Sequence, residues 1–126
     1  MPRKHIRTSE APAPIGPYSQ GIVAGGFLFA SGQIALDPKT NELVEGDVEV
    51  QTERVMENLM AILREAKLDA SRVAKATIYL ASMDDFPRMN GVYGRYFPKD
   101  PPARSTVEVS RLPKGVAVEI DLIAVF

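Results

Sequence analysis

The sequence predicts an α+β fold in which two helices pack on one face of a single mixed β-sheet. Segments rich in β-branched and apolar residues recur along the chain, as is typical of strands. Two other segments carry apolar residues at helical spacing, and one strand segment separates them. The length of 126 residues suits one domain, residues 1–126, with a core of its own.

The first two predicted strands surround Gly25–Gly26, a pair that favours a hairpin turn. An extended, proline-rich loop is predicted before them, over residues 10–18. The second strand, Phe27–Ala30, is continuously apolar, which predicts that both of its faces are buried. A further short strand is an option near Leu43–Val44.

Two helices follow from capping residues and apolar spacing. Asp47 is predicted to cap the first, whose apolar stripe consists of Val55, Met56, Leu59, Ile62, Leu63 and Ala66. Asp84 is predicted to cap the second, since Pro87 is tolerated in a first turn. The apolar face of this helix consists of Phe86, Met89, Tyr93, Tyr96 and Phe97. Gly91 and Gly94 weaken it, and close packing is one reason for their presence.

The remaining strands are "RVAKATIYLA", "ARSTVEV" and "GVAVEIDLIAVF". In the last one, alternation places Val118 and Ile120 on one face and Glu119 and Asp121 on the other. Two helices cover only one face of such a sheet, and the other face still carries apolar residues. The pattern therefore predicts burial against a partner subunit, the alternative being a monomer with a mixed open face.

Composition excludes several classes of protein. The chain has no cysteine, which excludes disulfides, thiolate zinc sites and a cysteine nucleophile, and is compatible with the cytoplasm, the expected location. Its one histidine, His5, lies in a polar leader, so multi-histidine metal sites and a Ser-His-Asp triad are not expected. Glycine-rich nucleotide-binding motifs are absent, and we expect chemistry without a cofactor or metal.

Charge and hydropathy predict neither a nucleic acid nor a membrane as a partner. The formal net charge of −1 provides no basic surface for nucleic acid or anionic lipid. No apolar run approaches the roughly 20 residues that span a bilayer. The N-terminal residues lack the apolar region of a secretory signal.

Arg104 is the first candidate for a binding residue. It follows two prolines and begins a strand in which Arg104, Thr106 and Glu108 share one face. A guanidinium binds a carboxylate or a phosphate through two parallel hydrogen bonds. A structural salt bridge is the alternative.

Three further side chains are candidates because of where they lie. Glu119 is a carboxylate between apolar strand residues and could hold or deprotonate a water; it could equally face solvent or pair with Arg104. Tyr18 lies in a loop, and Ser31 ends an apolar strand just before Gly32, where sites are common. Simple packing of the tyrosine and a serine turn are the alternatives.

Several segments together resemble the RidA family, also called YjgF. They are "APIGPYSQGI", "FASGQI", "NGVYGRYF" and "PPARSTVEVSRLPKGVAVEIDLIAV", and the resemblance runs from about residue 8 to the C-terminus. It implies a chorismate-mutase-like α+β fold and a homotrimer with a central β-barrel, helices outside and active sites between subunits. It also implies cofactor-independent hydrolysis of 2-aminoacrylate and related 2-imino acids to 2-oxo acids and ammonia.

The resemblance also implies roles for individual residues. Arg104 would bind the substrate carboxylate, and Glu119 would hold the attacking water and assist proton transfer. Tyr18 and Ser31 would line the pocket, and the backbone near Gly32 would offer polar contacts.

Two further positions belong to this expected site. Asn90 would add a substrate contact from the second helix, and Thr106 stands where many family members have cysteine. Water attacks the imine carbon directly, so the threonine leaves deamination possible. A non-catalytic protein that binds 2-oxo acids or regulates through them is the alternative, and the near-neutral charge argues against a ribonuclease.

Overall fold

The strand segments pair into one six-stranded sheet in the computed structural model, which describes residues 2–126. The elements are β1 (Lys4–Ile6), β2 (Gly21–Ala24), β3 (Phe27–Gln33), α1 (Val48–Glu65), β4 (Val73–Leu80), α2 (Phe86–Tyr93), β5 (Ala103–Glu108) and β6 (Val118–Val125). The strand order is β1-β2-β3-β6-β4-β5, and only β4 and β5 run parallel. The predicted mixed sheet with two helices is therefore confirmed.

Both helices pack on one face of the sheet, here called the helix face. The Asp47 side chain caps α1, accepting hydrogen bonds from the backbone N–H groups of Glu49 and Val50 at 3.0 and 3.1 Å. All six residues of the predicted apolar stripe are buried. In β6, Val118 and Ile120 are fully buried on the same face. Burial of this apolar surface provides the main driving force for folding.

The opposite face of the sheet, here called the open face, carries no helix. Phe27 and Phe29 of β3 point to it and are 43% and 44% exposed, whereas Leu28 and Ala30 are buried on the helix face. The prediction that both faces of this strand are buried is therefore wrong for the single chain. A continuous apolar run shows that a strand is apolar on both faces, but not that its own chain covers both.

One short strand was not predicted, and one strand prediction needs correction. Lys4–Ile6, in the polar leader, pairs with β2 as an edge strand. Only Ile6 of the three residues is buried, so the segment has almost no apolar signal. Near Leu43 the chain forms a single bridge with Leu36 rather than a strand.

The second helix begins differently from the prediction. The Ser82 side chain accepts a hydrogen bond from the Asp84 backbone N–H at 3.2 Å and caps a 3-10 turn over Met83–Asp85. Helix α2 continues from this turn, and its own N-cap residue, Asp85, makes no side-chain capping bond. Asp84 is therefore not the cap, because the 3-10 turn moves the helix start to Phe86. Neither helix within residues 2–126 has the length and apolarity to cross a membrane.

Close packing does not explain the glycines near the end of α2. Apart from its own chain neighbours and nearby helix backbone, a Cβ atom built on Gly91 or Gly94 meets no atom of residues 2–126 within 4 Å. We therefore expect Gly91→Ala to stabilise the chain by about 0.5–1 kcal/mol, since alanine loses less backbone entropy in a helix. Thermal or urea unfolding would measure this change. A destabilised variant would show that something outside this chain occupies the space.

Candidate functional site

A cavity of about 340 Å³ on the open face contains four of the predicted site residues, Tyr18, Ser31, Gly32 and Glu119. We call it the Glu119 cavity. The rest of its lining consists of Pro12, Ile15, Gln33, Ile34, Leu36 and Pro113. A mostly apolar wall with a few polar groups is typical of small-molecule sites.

A bulge in β3 places Ser31 and Gly32 at this cavity. Ala30 pairs with Leu122 and Gln33 with Ile120, so three steps along β3 oppose two along β6. Such bulges redirect side chains and are frequent beside active sites. The Ser31 hydroxyl donates a hydrogen bond to the Ser19 carbonyl, which leaves its oxygen able to accept one from a ligand.

Gly32 lies directly against the Glu119 carboxylate. A Cβ atom built on this glycine would overlap Glu119 Oε2 and stand 3.1 Å from Cδ. Sequence reasoning selected Gly32 for its backbone, whereas the geometry also gives a steric reason for the missing side chain. Any larger residue here would displace the carboxylate.

We expect Gly32→Ala to shift the Glu119 side chain. If Glu119 takes part in a reaction, this shift should lower kcat/KM by at least about tenfold, since small misplacements of a reacting group are costly. A crystal structure of the variant, together with its thermal stability, would separate displacement of the carboxylate from general unfolding. Unchanged activity would show that the position of Glu119 does not matter.

Tyr18 lies at the mouth of the cavity and is 46% exposed. Its hydroxyl accepts a hydrogen bond from the Ile15 backbone N–H at 3.2 Å, which holds the loop around the ring.

The buried Gln20 amide donates hydrogen bonds to the carbonyls of Ala11 and Pro12, at 3.2 and 2.9 Å. Gln20 was not predicted, because a single glutamine in a loop gives no sequence signal.

The Glu119 carboxylate has an environment that favours its protonated form. Burial raises the pKa of Glu119, and the negative charge of Asp121 on the same face raises it further. Burial also raises the pKa of Asp121, although the Tyr79 hydroxyl, which donates to it at 3.2 Å, and Lys75 act in the opposite direction. A carboxyl group with a raised pKa is suited to both accepting and releasing a proton.

Asp121→Asn is expected to lower the pKa of Glu119 by removing a neighbouring negative charge. If catalysis needs the ionised carboxylate, the acid limb of the kcat/KM profile moves to lower pH in this variant. Carbon-13 NMR titration of the Glu119 carboxyl group would measure the same pKa without reference to activity. A pKa that stays fixed would show that the two carboxylates are not coupled.

Arg104 lies elsewhere, on the helix face at the sheet edge. It pairs with Ala76, which is fully buried under the helices. Its Nη1 donates to Asn90 Oδ1 at 2.8 Å, and its Cζ lies 5.4 Å from the Phe86 ring centroid and 5.1 Å from that of Tyr93. Within residues 2–126 no carboxylate oxygen lies within 4.0 Å of it. The alternative of an internal salt bridge is therefore wrong.

The other residues on this face of β5 have different surroundings. Thr106 is half-buried, and its hydroxyl is shielded from solvent without a hydrogen-bond partner in the described chain. Glu108 Oε1 accepts a hydrogen bond from the Met83 backbone N–H at 2.7 Å, a structural contact that supports the turn before α2. Thr106 therefore keeps unused hydrogen-bonding capacity on the same face as Arg104, whereas Glu108 serves the turn.

The predicted site residues thus form two separate groups in one chain. Glu119 pairs with Tyr79 on the open face, whereas Arg104 pairs with Ala76 on the helix face. Strand β4 also lies between their two strands. Because directly paired residues share a face, the guanidinium and the carboxylate cannot meet in a single copy.

Strand β1 and the residues on either side of it add basic side chains that sequence reasoning did not select as site residues. Arg3, His5 and Arg7 line a second hollow of about 560 Å³, which shares Tyr18 and Ser31 with the Glu119 cavity. In "RKHIR" the side chains of Arg3, His5 and Arg7 recur at every second position, as on one face of a strand. This was the signal available in the sequence, but the strand was not predicted. Over residues 2–126, no three His, Asp or Glu side chains are grouped closely enough to hold a metal ion.

The family model described as endoribonuclease L-PSP matches residues 8–126, nearly the whole chain. The chain belongs to the Rid family. A Yersinia pestis structure described as a protein of unknown function of the conserved Rid protein family superposes with a TM-score of 0.96. It is 45% identical, and the match covers 99% of this chain and 100% of that one.

Relatives within the family carry different names. Protein DfrA of Myxococcus xanthus is 58% identical over 127 residues, covering 99% of this chain and 97% of its own. A Bos taurus protein named 2-iminobutanoate/2-iminopropanoate deaminase is 44% identical over 123 residues, covering 98% of this chain and 90% of its own. The family membership predicted from the motifs is therefore confirmed, and one of its members is named for imino acid deamination.

Proposed function

We propose that this protein hydrolyses small 2-imino acids and their enamine tautomers to 2-oxo acids and ammonia, without a cofactor. In this proposal Arg104 binds the substrate carboxylate and Glu119 activates a water. Tyr18, Ser31 and the backbone at Gly32 line the pocket. The 44% identity to the Bos taurus deaminase supports the reaction class.

The observation that carries the proposal is the arrangement of Arg104. Its guanidinium is positioned by two rings and one amide, and the charge has no carboxylate partner within residues 2–126. Asn90 accepts from one of the five N–H donors of the Arg104 guanidinium, so the remaining donors are available to form two parallel hydrogen bonds to a planar anion. A small carboxylate matches that geometry.

The chemistry needs one proton acceptor that later becomes a donor. The substrate reacts as the protonated imine: water attacks its carbon while Glu119 takes a proton from that water, and the C=N bond becomes a C–N single bond in a neutral carbinolamine. Glu119 then gives this proton to nitrogen and accepts the hydroxyl proton as the C=O bond forms and the C–N bond breaks, and it releases that last proton to solvent. The products are a 2-oxo acid and ammonia. The raised pKa of Glu119 suits both steps.

The proposal requires two copies of the chain at each site. Arg104 and Glu119 lie on opposite faces of the sheet, so a neighbouring copy must bring its Arg104 edge to the Glu119 cavity. The exposed Phe27 and Phe29 on the open face offer apolar surface for such an interface. We propose a homotrimer, the assembly that the family resemblance implies and one in which each copy has a neighbour on either side.

The test generates 2-aminoacrylate with a pyridoxal-phosphate dehydratase and follows the decay of the imine with and without this protein. Acceleration of 2-oxo acid formation is the expected result. Pyruvate binding without acceleration would favour the non-catalytic binding protein instead. Mixed trimers provide a second test: Arg104→Ala and Glu119→Gln subunits, each inactive alone, should regain partial activity when co-assembled.

A further inference from the structure

Three side chains of α2 surround the Arg104 guanidinium. Phe86, Asn90 and Tyr93 lie at positions i, i+4 and i+7, a spacing that places side chains in one stripe along a helix. The two ring centroids lie 5.4 and 5.1 Å from Arg104 Cζ, within the range of cation–π attraction. The amide oxygen of Asn90 accepts a hydrogen bond of 2.8 Å from Nη1. We call these three residues the arginine cradle.

The cradle addresses a physical difficulty of the site. Arg104 projects from the edge strand β5 and is exposed in the chain, where an arginine ordinarily samples many rotamers. Ordering such a side chain opposes ligand binding, and prior ordering removes that cost. Each cradle residue is uncharged, so none of them neutralises the guanidinium or competes with an anionic ligand.

We propose that Phe86, Asn90 and Tyr93 are positioning residues that pre-organise Arg104 for a carboxylate ligand. Asn90 then acts through the arginine, rather than through the direct substrate contact that the family resemblance implies. The inference rests on the proposed function for the identity of the ligand only. The ordering of Arg104 is a separate property that can be measured without any ligand.

Tyr93 contributes its ring rather than its hydroxyl. The side chain is only 5% exposed, and its hydroxyl makes no hydrogen bond to any residue in the described part of the chain. Burial raises the pKa of Tyr93, which keeps the phenol neutral beside the cation. Tyr93→Phe therefore keeps the contact with Arg104, whereas Tyr93→Leu removes it.

The experiment measures two quantities in the full-length protein: the Kd of pyruvate and the heteronuclear NOE of Arg104 Nε. Phe86→Leu and Tyr93→Leu are expected to lower the NOE and to weaken pyruvate binding by about three- to tenfold each. Tyr93→Phe should keep both values near wild type, as a conservative variant. Asn90→Asp should keep Arg104 ordered but weaken pyruvate more than about tenfold, because its carboxylate would occupy the guanidinium.

Tyr96→Leu is the matched control from the 3-10 turn that follows α2. The Tyr96 hydroxyl donates to Glu57 at 2.8 Å, away from Arg104, so the variant should lose stability without changing the NOE. The cradle would be refuted if Phe86→Leu and Tyr93→Leu left the NOE and Kd unchanged, or if Tyr96→Leu loosened Arg104 equally. Should both leucine variants fail to fold, Asn90→Asp decides: pyruvate affinity at the wild-type level would refute the cradle.

The same data separate this inference from the proposed function. If Arg104→Ala binds pyruvate as tightly as wild type, the proposed ligand is wrong, and the NOE comparison still decides whether the cradle orders the arginine. If Arg104→Ala loses binding but the leucine variants do not, only the cradle is wrong.

Discussion

Arg104→Ala is expected to lower kcat/KM for the imine substrate by at least about 30-fold and to abolish measurable pyruvate binding. The guanidinium would supply a charge-assisted, two-point contact to the substrate carboxylate, and loss of such a contact typically costs about 2–5 kcal/mol. Arg104 makes no ion pair within residues 2–126, so its removal should cost only its two cation–π contacts and its hydrogen bond to Asn90, about 1–3 kcal/mol of unfolding free energy, and should leave the fold intact. Steady-state kinetics and thermal unfolding would check both statements.

Two further variants sharpen this result. Arg104→Lys keeps the positive charge but loses the planar fork, so we expect an intermediate loss of affinity rather than recovery. Arg95→Ala is the matched control, since Arg95 lies just beyond α2 with a long 3.9 Å contact to Glu53 on the surface. Wild-type turnover in Arg104→Ala would remove the arginine from the mechanism. An equal loss in Arg95→Ala would assign the effect to surface charge.

Glu119→Gln is expected to lower kcat by about 100- to 10,000-fold, the range for loss of a general acid–base. The amide fills nearly the same space but cannot accept the proton of the attacking water. Pyruvate binding should change far less than turnover, because the carboxylate contact is made by Arg104. Pre-steady-state kinetics beside a binding titration would measure the two effects. Equal losses in both would indicate that Glu119 only binds.

The stability of the same variant depends on pH in a defined direction. Burial raises the pKa of Glu119 above its unfolded value, so the ionised carboxylate opposes folding at pH above the folded pKa. Glu119→Gln should therefore raise Tm relative to wild type at neutral pH. This difference in Tm should disappear as the pH falls below the pKa that Glu119 has in the unfolded chain, because the carboxyl group is then protonated in both the folded and the unfolded state. A lower Tm at neutral pH would show that the carboxylate stabilises the fold.

Asp121→Asn is the matched control for Glu119→Gln, because it makes the same chemical change two residues away on the same face of β6. At a pH well above the pKa of Glu119 in both wild type and Asp121→Asn, the kcat of the variant should stay close to that of wild type. A loss as large as that of Glu119→Gln would show that the reaction depends on the charge of the open face rather than on one carboxylate.

Local patterns predicted most of the helices and strands. The stripe on α1 and the alternation in β6 depend only on residues close in sequence, and both predicted sets of inward-facing positions are buried. The errors occurred where local signals are weak or shared. Lys4–Ile6 has one buried residue, and Asp84 was predicted as the cap of α2, whereas Ser82 caps the 3-10 turn that precedes the helix.

The candidate site could be predicted as a set of residues but not as an arrangement. Motif resemblance selected Arg104 and Glu119 together for a site between subunits, but it did not say where each lies within one chain. The sheet order β6-β4-β5 and the two registers place them on opposite faces. Gln20 and the aromatic neighbours of Arg104 could not be assigned from sequence, because their contacts depend on how separate segments pack, which no local pattern records.

The sequence by itself determined the family, the residue types available for chemistry, and which strand neighbours share a face. Periodicity carries that information because it depends only on local backbone geometry. Only the tertiary structure decided that Gly32 lies against Glu119, that α2 surrounds Arg104 with uncharged contacts, and that the two halves of the site lie apart. Strand order and the β3 bulge arise from contacts between distant segments, which no local pattern records.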